Sequence, residues 1–196
     1  MRRRHIIGAV LAAAAAVPLV TAAPAQSHGF INLPPSRSAL CGAGVVTNCG
    51  DIQWEPQSVE GPKGFPSRGP ADGTICAGAD ARWAPLDNPR SGKWPTTKVT
   101  GGQQLTFTWE IEARHSTTNF RYFLTKPGYD ATQKITRAAL DLTPFLTVPY
   151  NGRQPAATTT HTATLPTGRT GHHVVVAVWD VADTANAFYS CTDVQF

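Results

Sequence analysis

Charged side chains are scarce in this sequence, because Asp, Glu, Lys and Arg make up only 15% of its 196 residues. So low a fraction excludes a disordered polyelectrolyte and a long charged coiled coil. No acidic residue precedes Asp51, and three of the 17 Lys and Arg residues are Arg2, Arg3 and Arg4. Residues 28–196 therefore carry nearly balanced charge. Since a nucleic-acid binder needs a basic face that neutralises phosphates, we expect no nucleic-acid partner.

Long apolar runs are also missing, apart from one near the N-terminus. Residues 2–4 are cationic, residues 6–20 are apolar, and small residues follow up to Ser27. This order is typical of a secretory signal peptide at 1–27, and we predict cleavage after Ser27. The run is shorter than the ~20 residues that span a bilayer, so we expect no membrane partner. The predicted product is a secreted, extracellular, monomeric protein with a single domain at 28–196, whose export by Sec or Tat the sequence leaves open.

Cysteine is limited to four residues, and no Cys-x-x-Cys spacing supports a structural zinc site. In an exported protein we expect disulfides, and four cysteines allow three pairings. The short glycine-containing loop between Cys41 and Cys49 favours a local bridge. That bridge would leave Cys76 for Cys191, closing a long loop and contributing on the order of 4–5 kcal/mol in the chain-entropy model. The sequence alone does not choose among the three pairings.

Helical periodicity is weak, whereas alternation with period two is clear in the second half of the chain. Residues 105–113 alternate apolar and polar side chains, as a strand with one buried face does. Further strands are predicted at 120–124, at 158–165 as an exposed or edge strand, at 174–181 as a central strand, and at 188–196. These short strands predict an all-β antiparallel sandwich.

A Pro- and Gly-rich stretch runs from Asn32 to about Thr100, ahead of the strand-rich half. Irregular segments of this length are uncommon in compact domains and usually functional. We expect short helical turns within it, one of them at 51–58.

Cleavage after Ser27 would make His28 the first residue, which gives it a free α-amine beside its imidazole. These two nitrogens can chelate one metal ion, and a second imidazole opposite them would complete a nitrogen field that suits Cu(II). The α-amine pKa of roughly 8 is low enough for a metal to displace its proton. His115 is favoured as that second ligand because it directly follows a well-patterned strand, near the rim of a sheet. The alternatives are His161, His172 and His173.

Five blocks of sequence resemble one known family in the expected order: HGF at 28–30, QWEPQSVEG at 53–61, ARHSTT at 113–118, YFLTKP at 122–127 and WDVADTANAFY at 179–189. They are similar to the bacterial lytic polysaccharide monooxygenases of auxiliary activity family ten, small chitin-binding-protein type. The resemblance covers essentially all of 28–196. It implies an immunoglobulin- or fibronectin III-like sandwich with a large loop and short-helix insertion after the first strand. A second disulfide of some relatives is absent, since Leu146 and Ala163 occupy its positions.

The resemblance also implies a set of site residues. His28, through amine and imidazole, and His115 would hold one copper ion per chain as a histidine brace. Phe188 matches the aromatic residue on one axial side of the metal, and Ala113 the small residue near the other. Glu60 matches the carboxylate that lines the pocket where oxygen is activated. An external electron donor, with O2 or H2O2, would then support oxidation of a glycosidic linkage, at C1 in close relatives, giving aldonic acids.

The expected partner is crystalline chitin, with cellulose as the alternative. A flat crystal surface suits a flat protein face on which Trp54 stacks against a sugar ring. Side chains that match the family's substrate contacts, and that can hydrogen-bond the sugar, are Glu55, Glu60, Asp183, Thr184 and Asn186.

Three other functions remain open from the residues alone. A hydrolase would need two carboxylates at a suitable separation, for which Glu55 and Glu60 are a weak candidate pair. A non-catalytic chitin-binding module would use Trp54 and ignore copper. An extracellular copper carrier would use His28 but would gain nothing from an aromatic sugar-binding face.

Overall fold

The computed structural model describes residues 28–196, and the signal peptide predicted at 1–27 lies outside the described residues. Its strands are β1 (His28–Leu33), β2 (Glu60–Pro62), β3 (Thr97–Lys98), β4 (Gln104–Ala113), β5 (Thr117–Leu124), β6 (Leu146–Pro149), β7 (Thr158–Thr164), β8 (His172–Val181) and β9 (Asn186–Gln195). Between them lie the helix α1 (Arg37–Gly42) and 3₁₀ helices at Gly50–Gln53, Ala81–Asp87, Arg90–Gly92 and Arg137–Ala139.

The strands form two sheets that pack face to face, which confirms the predicted all-β sandwich. One sheet has the order β1-β4-β7, and the other has the order β2-β9-β8-β5-β6, with β3 also paired to β9. β7 is an edge strand and β8 an interior strand, as their compositions predict. No helix within 28–196 has the length and apolar character that a membrane span requires.

The alternation in β4 reflects its position with one face on the core. Phe107, Trp109 and Ile111 point inward and are at most 2% exposed, whereas the intervening residues are not buried. They pack against β5 and β8 residues such as Phe120 and Trp179 in one hydrophobic cluster. This cluster holds the two sheets together, since burial of apolar area is the main favourable contribution to folding.

β8 is apolar on both faces because both faces are covered. Val175 belongs to the cluster between the sheets, while Val176 belongs to a second cluster on the opposite face. That second cluster is completed by the Pro- and Gly-rich segment, through residues such as Phe65, Trp83 and Trp94. The segment is therefore a third layer of the domain rather than a loose loop.

The disulfides fasten this third layer. Cys41 bonds Cys49 within it, and Cys76 bonds Cys191 in β9, which confirms the favoured pairing. The helical turn predicted at 51–58 is shorter than expected, since the 3₁₀ helix covers only Gly50–Gln53. Proline disfavours a helical backbone at the residue before it, and Pro56 follows closely.

Candidate metal centre and binding face

The pairing of β1 with β4 brings the two predicted metal ligands to one end of the sandwich. His28 begins β1, and its backbone lies opposite Ala113, the last residue of β4. His115 follows two residues later, in the short connection to β5. The end of β8 lies at the same rim, because Val181 pairs with Thr117 at the start of β5.

His115 is held from both sides of this connection. The hydroxyl of Thr117 donates to the carbonyl of His115 at 3.0 Å. Nδ1 of the His115 ring lies 3.4 Å from Oδ1 of Asp183, which is on the turn between β8 and β9. The side chain is 14% exposed, and Nε2 bonds to no group among residues 28–196. In the tautomer in which Nδ1–H donates to Asp183, Nε2 carries a lone pair.

His28 is anchored through its backbone neighbour and not through its ring. The N–H of Gly29 donates to the carbonyl of Gln57 at 2.9 Å, which ties β1 to the segment leading into β2. A Cβ at Gly29 would lie only 3.0 Å from the Trp179 ring and 3.1 Å from the carbonyl of Glu110, so glycine permits this close packing. The imidazole of His28 has no hydrogen bond to another described residue and lines a cavity.

Glu60, Asn186 and Phe188 meet through the pairing of β2 with β9. Glu60 lies opposite Phe188, and Pro62 lies opposite Asn186. The Asn186 amide donates to Oε1 of Glu60 at 2.9 Å, which fixes the carboxylate at the cavity wall. Phe188 is fully buried, with its ring centroid 5.0 Å from that of Trp179. The aromatic core thus continues directly beneath this end of the sandwich.

The cavity beside His28 has a volume of about 540 Å³ and contains polar residues that sequence reasoning missed. Glu55, Glu60 and Asn186 line it, as do Ser58, Asp80 and Arg82; His115 does not. Arg82 donates to Asp80 at 2.8 Å, which lowers the pKa of the Asp80 carboxyl below its ordinary value. No sequence pattern points to this pair, because the segment that carries it is far from His28 along the chain.

An exposed aromatic residue lies next to the cavity-forming segment. Trp54 caps the 3₁₀ helix Gly50–Gln53 and is 76% exposed, which is unusual for a tryptophan. Asp183 and Thr184 lie on the β8–β9 turn, where the Asp183 carboxylate is half exposed. A solvent-facing indole with polar groups nearby is suited to binding an amphipathic ligand such as a sugar.

The alternative histidine ligands lie in other environments. His161 is buried, and its Nδ1 forms a 2.6 Å hydrogen bond with the hydroxyl of Tyr122. His172 bonds Oδ1 of Asp193 at 2.7 Å, and His173 is 1% exposed. The last two begin β8 and thus lie at the end of that strand away from Val181. Among the candidates, His115 alone shares the rim with His28.

The nitrogen donors at the rim fit a copper ion if the chain is cleaved before His28. Within residues 28–196, no group of three or more His, Cys, Asp or Glu side chains is placed to hold a metal ion. The α-amine of His28, once freed by such cleavage, would add a nitrogen donor beside the rings of His28 and His115. Imidazole and amine nitrogens are ligands that Cu(II) favours, and the unbonded nitrogens of both rings remain available for it.

Comparison with known proteins identifies the family. Residues 28–194 match the family model described as lytic polysaccharide mono-oxygenase, cellulose-degrading. The chain is 44% identical over 172 residues to GlcNAc-binding protein A of Shewanella oneidensis. That alignment covers 88% of this chain but 36% of the relative, so the chain spans about a third of that protein's length.

The chain belongs to the lytic polysaccharide monooxygenase family.

Solved structures of this family share the fold. An AA10 lytic polysaccharide monooxygenase from Streptomyces lividans superposes with a TM-score of 0.84 at 57% identity, covering 86% of this chain and all of the other. A Bacillus amyloliquefaciens protein in complex with Cu(I) superposes with a TM-score of 0.78 at 35% identity, covering 86% and 99% of the two chains. Copper is thus bound by a CBM33 protein of similar fold.

Proposed function

We propose that this lytic polysaccharide monooxygenase is a secreted, copper-dependent enzyme that oxidatively cleaves crystalline chitin, at C1, giving aldonic acids. The observation that carries the proposal is the β1–β4 register, which brings His28 and the connection bearing His115 to one rim. Both rings have nitrogens without protein partners, and an exposed Trp54 lies on the same segment as Glu60. We further propose cleavage of a signal peptide at 1–27 and a monomeric single domain at 28–196.

His28 would bind one copper ion through its α-amine and imidazole, and His115 would bind it through Nε2. When bound, copper supplies one-electron redox chemistry and activates O2 or H2O2 with electrons from an external donor. Asp183 orients the His115 ring by accepting from Nδ1–H, which leaves Nε2 as the ligand atom. Nδ1 is the donor in this contact because an ionised carboxylate can only accept a hydrogen bond.

Three residues would shape the pocket around the metal. Glu60 presents a carboxylate that Asn186 holds by a 2.9 Å hydrogen bond. Phe188 provides an apolar wall that excludes water, and it is packed rigidly by Trp179. Ala113, opposite His28 in the β1–β4 pair, leaves space because its side chain is a single methyl group. A shielded pocket confines a reactive oxidant and protects the surrounding protein.

The binding face would align the polysaccharide over this pocket. Trp54 would stack on one sugar ring, with its exposed indole losing water on contact. Glu55, Asp183 and Thr184 would accept or donate hydrogen bonds to hydroxyl and acetamido groups of the substrate. The name of the Shewanella relative, GlcNAc-binding protein A, supports chitin, a polymer of acetamido sugars.

The direct test is mass spectrometry of soluble products from crystalline chitin. The protein should begin at His28, be loaded with copper, and be incubated with and without ascorbate. We expect aldonic-acid chito-oligosaccharides only when ascorbate is present. Native oligosaccharides without reductant would overturn the proposal in favour of a hydrolase.

A cellulose-active enzyme is the second candidate, because the matching family model is described as cellulose-degrading. Parallel incubation with crystalline cellulose tests it, and oxidised cello-oligosaccharides without chitin products would select it. A non-catalytic binding protein would bind chitin and release nothing from either polymer. The His28→Ala variant should lose oxidation but keep most chitin binding, which separates catalysis from adsorption.

A further inference from the structure

Lys63 is an ammonium group held by backbone carbonyls instead of a carboxylate. It directly follows β2, and its backbone N–H donates to the carbonyl of Ala185 at 3.0 Å. Its Nζ donates to the carbonyl of Thr184 at 2.6 Å and also to the carbonyl of Val181. No carboxylate among residues 28–196 lies within ion-pair distance of this ammonium. Since a partly buried charge is costly unless its donors are satisfied, these carbonyls fix the position of the side chain.

The two carbonyls bracket the turn between β8 and β9. Val181 is the last residue of β8, and Thr184 lies two residues before Asn186 begins β9. Val181 is the last residue of the ladder with β5, whereas the carbonyl of Thr184 lies outside any ladder and needs another donor. The Lys63 side chain therefore links the residue before the turn at 182–185 to a residue within it.

The same turn contacts both functional groups of the candidate site. Asp183 within it bonds Nδ1 of His115 at 3.4 Å. Asn186, immediately after it, donates to Oε1 of Glu60 at 2.9 Å. A displacement of the turn would consequently alter the His115 ring and the Glu60 carboxylate together.

We propose that Lys63 is a positioning residue that acts through the β8–β9 turn on His115 and Glu60. Its role is to hold Asp183 where it accepts from Nδ1–H of His115, so that Nε2 carries the lone pair. Lys63 itself contacts neither substrate nor metal in this role. The proposal deepens the proposed function, because Nε2 is the atom that would bind copper.

The first test uses the metal-free protein and reads the imidazole directly. Long-range ¹H–¹⁵N NMR correlations at pH 8 report which nitrogen of His115 carries the proton. We expect the Nδ1–H tautomer to predominate in wild type and in Lys63→Arg, and its population to fall at least twofold in Lys63→Met. Lys126→Met is the matched control, because Lys126 Nζ also donates to a carbonyl, that of Ala138 at 3.0 Å, away from the site.

A purely structural lysine would lower the melting temperature and leave the tautomer ratio of His115 at the wild-type value. That result in folded Lys63→Met overturns the proposal. If Lys63→Met does not fold, Lys63→Gln is measured instead, because its amide is uncharged and one bond shorter and should lose the paired contacts with the carbonyls of Val181 and Thr184. The same two outcomes then decide.

The second test measures Cu(II) affinity by calorimetry on protein that begins at His28. Loss of a residue that orients a metal ligand typically weakens binding 10- to 100-fold. We expect roughly tenfold weaker binding in Lys63→Met, recovery in Lys63→Arg and no change in Lys126→Met. Wild-type affinity in Lys63→Met would overturn the proposal. If wild type binds no copper, the proposed function fails, while the NMR result still decides the role of Lys63.

Discussion

The histidines of the rim and those of the sheets differ in what their ring nitrogens contact. At the rim, Nε2 of His115 and the whole ring of His28 have no hydrogen-bond partner among residues 28–196. In the sheets, His161 Nδ1 hydrogen-bonds the Tyr122 hydroxyl, and His172 bonds the buried carboxylate of Asp193. The rim histidines thus keep ring nitrogens that a ligand can reach, whereas the histidines of the sheets each bond a neighbouring side chain, and the Nε2 of His161 that has no partner is buried.

The difference arises from position along the strands. His161 lies within β7, where one face is covered by the opposite sheet, so its ring is enclosed by aromatic neighbours. His115 lies beyond the end of β4, where side chains leave the core and reach the surface. Position along the strand thus separates the accessible ring of His115 from the enclosed ring of His161.

The largest expected effect is the loss of Cu(II) affinity when the ring of His115 is removed from the rim. His115→Ala should weaken Cu(II) binding more than about 100-fold, since even loss of an outer partner costs 10- to 100-fold. Its free energy of unfolding should change by no more than about 1 kcal/mol, because the hydrogen bonding of the ring is limited to the 3.4 Å contact with Asp183. Calorimetric titration and urea unfolding measure the two quantities.

His172→Ala is the matched control and should show the reverse. It removes the 2.7 Å bond to Asp193, a carboxylate that also accepts from Arg37 inside the domain. We expect a loss of about 1–3 kcal/mol in unfolding free energy with unchanged copper affinity. Equal copper affinities in the two variants would contradict the division between rim and network histidines.

The strands that were predicted from sequence are those whose surroundings impose a simple pattern. β4 alternates because one face meets the core, and β8 is uniformly apolar because both of its faces are covered. β2 and β6 gave no such signal, since they are three and four residues long and exist through pairing with β9 and β5. Strands that form only by pairing with distant segments show no recognisable hydrophobic pattern in their own sequence.

The residues of the candidate site also fall into those suggested by local sequence features and those that only the fold brings to the site. The prediction of His28 and His115 as ligands rests on a cleavage signal and a strand end, both of which are local features, and it stays a prediction. Asp80 and Arg82 were not predicted, because they reach the cavity only through the folding of the third layer. Lys63 was also missed, since its partners are backbone carbonyls that no side-chain motif encodes.

A smaller effect is expected in the pH dependence of stability, through the buried histidine His161. Burial lowers the pKa of His161 to about 4, from 6.5 in an accessible histidine. Between pH 6.5 and pH 4, His161 binds a proton in the unfolded chain but not in the folded chain. The associated stability is fully present above pH 6.5 and is lost as the pH falls towards 4, by up to about 3 kcal/mol.

Comparison with His161→Phe isolates this contribution. Burial raises the pKa of Asp87 to about 6, which favours the folded state at low pH and opposes the His161 effect in wild type. Both proteins contain Asp87, so the difference between their unfolding free energies at pH 7 and pH 4 reports His161 alone. Parallel pH dependence of the two proteins would show that His161 is protonated in the fold.

The smallest expected effect tests whether the rim extends into a binding surface. Trp54→Ala should weaken adsorption to crystalline chitin by about 2 kcal/mol, roughly 30-fold, because an exposed indole is a typical binding hot spot. Trp54→Tyr should retain most of the affinity, since a phenol ring also stacks on sugars. Leu142→Ala is the matched control, because Leu142 is 42% exposed and lines a separate cavity. Adsorption isotherms of metal-free protein measure these differences, so the result does not depend on copper. If Trp54→Ala and Leu142→Ala bind alike, the polysaccharide contacts another face, and the alignment of substrate over His28 and His115 must be reassigned.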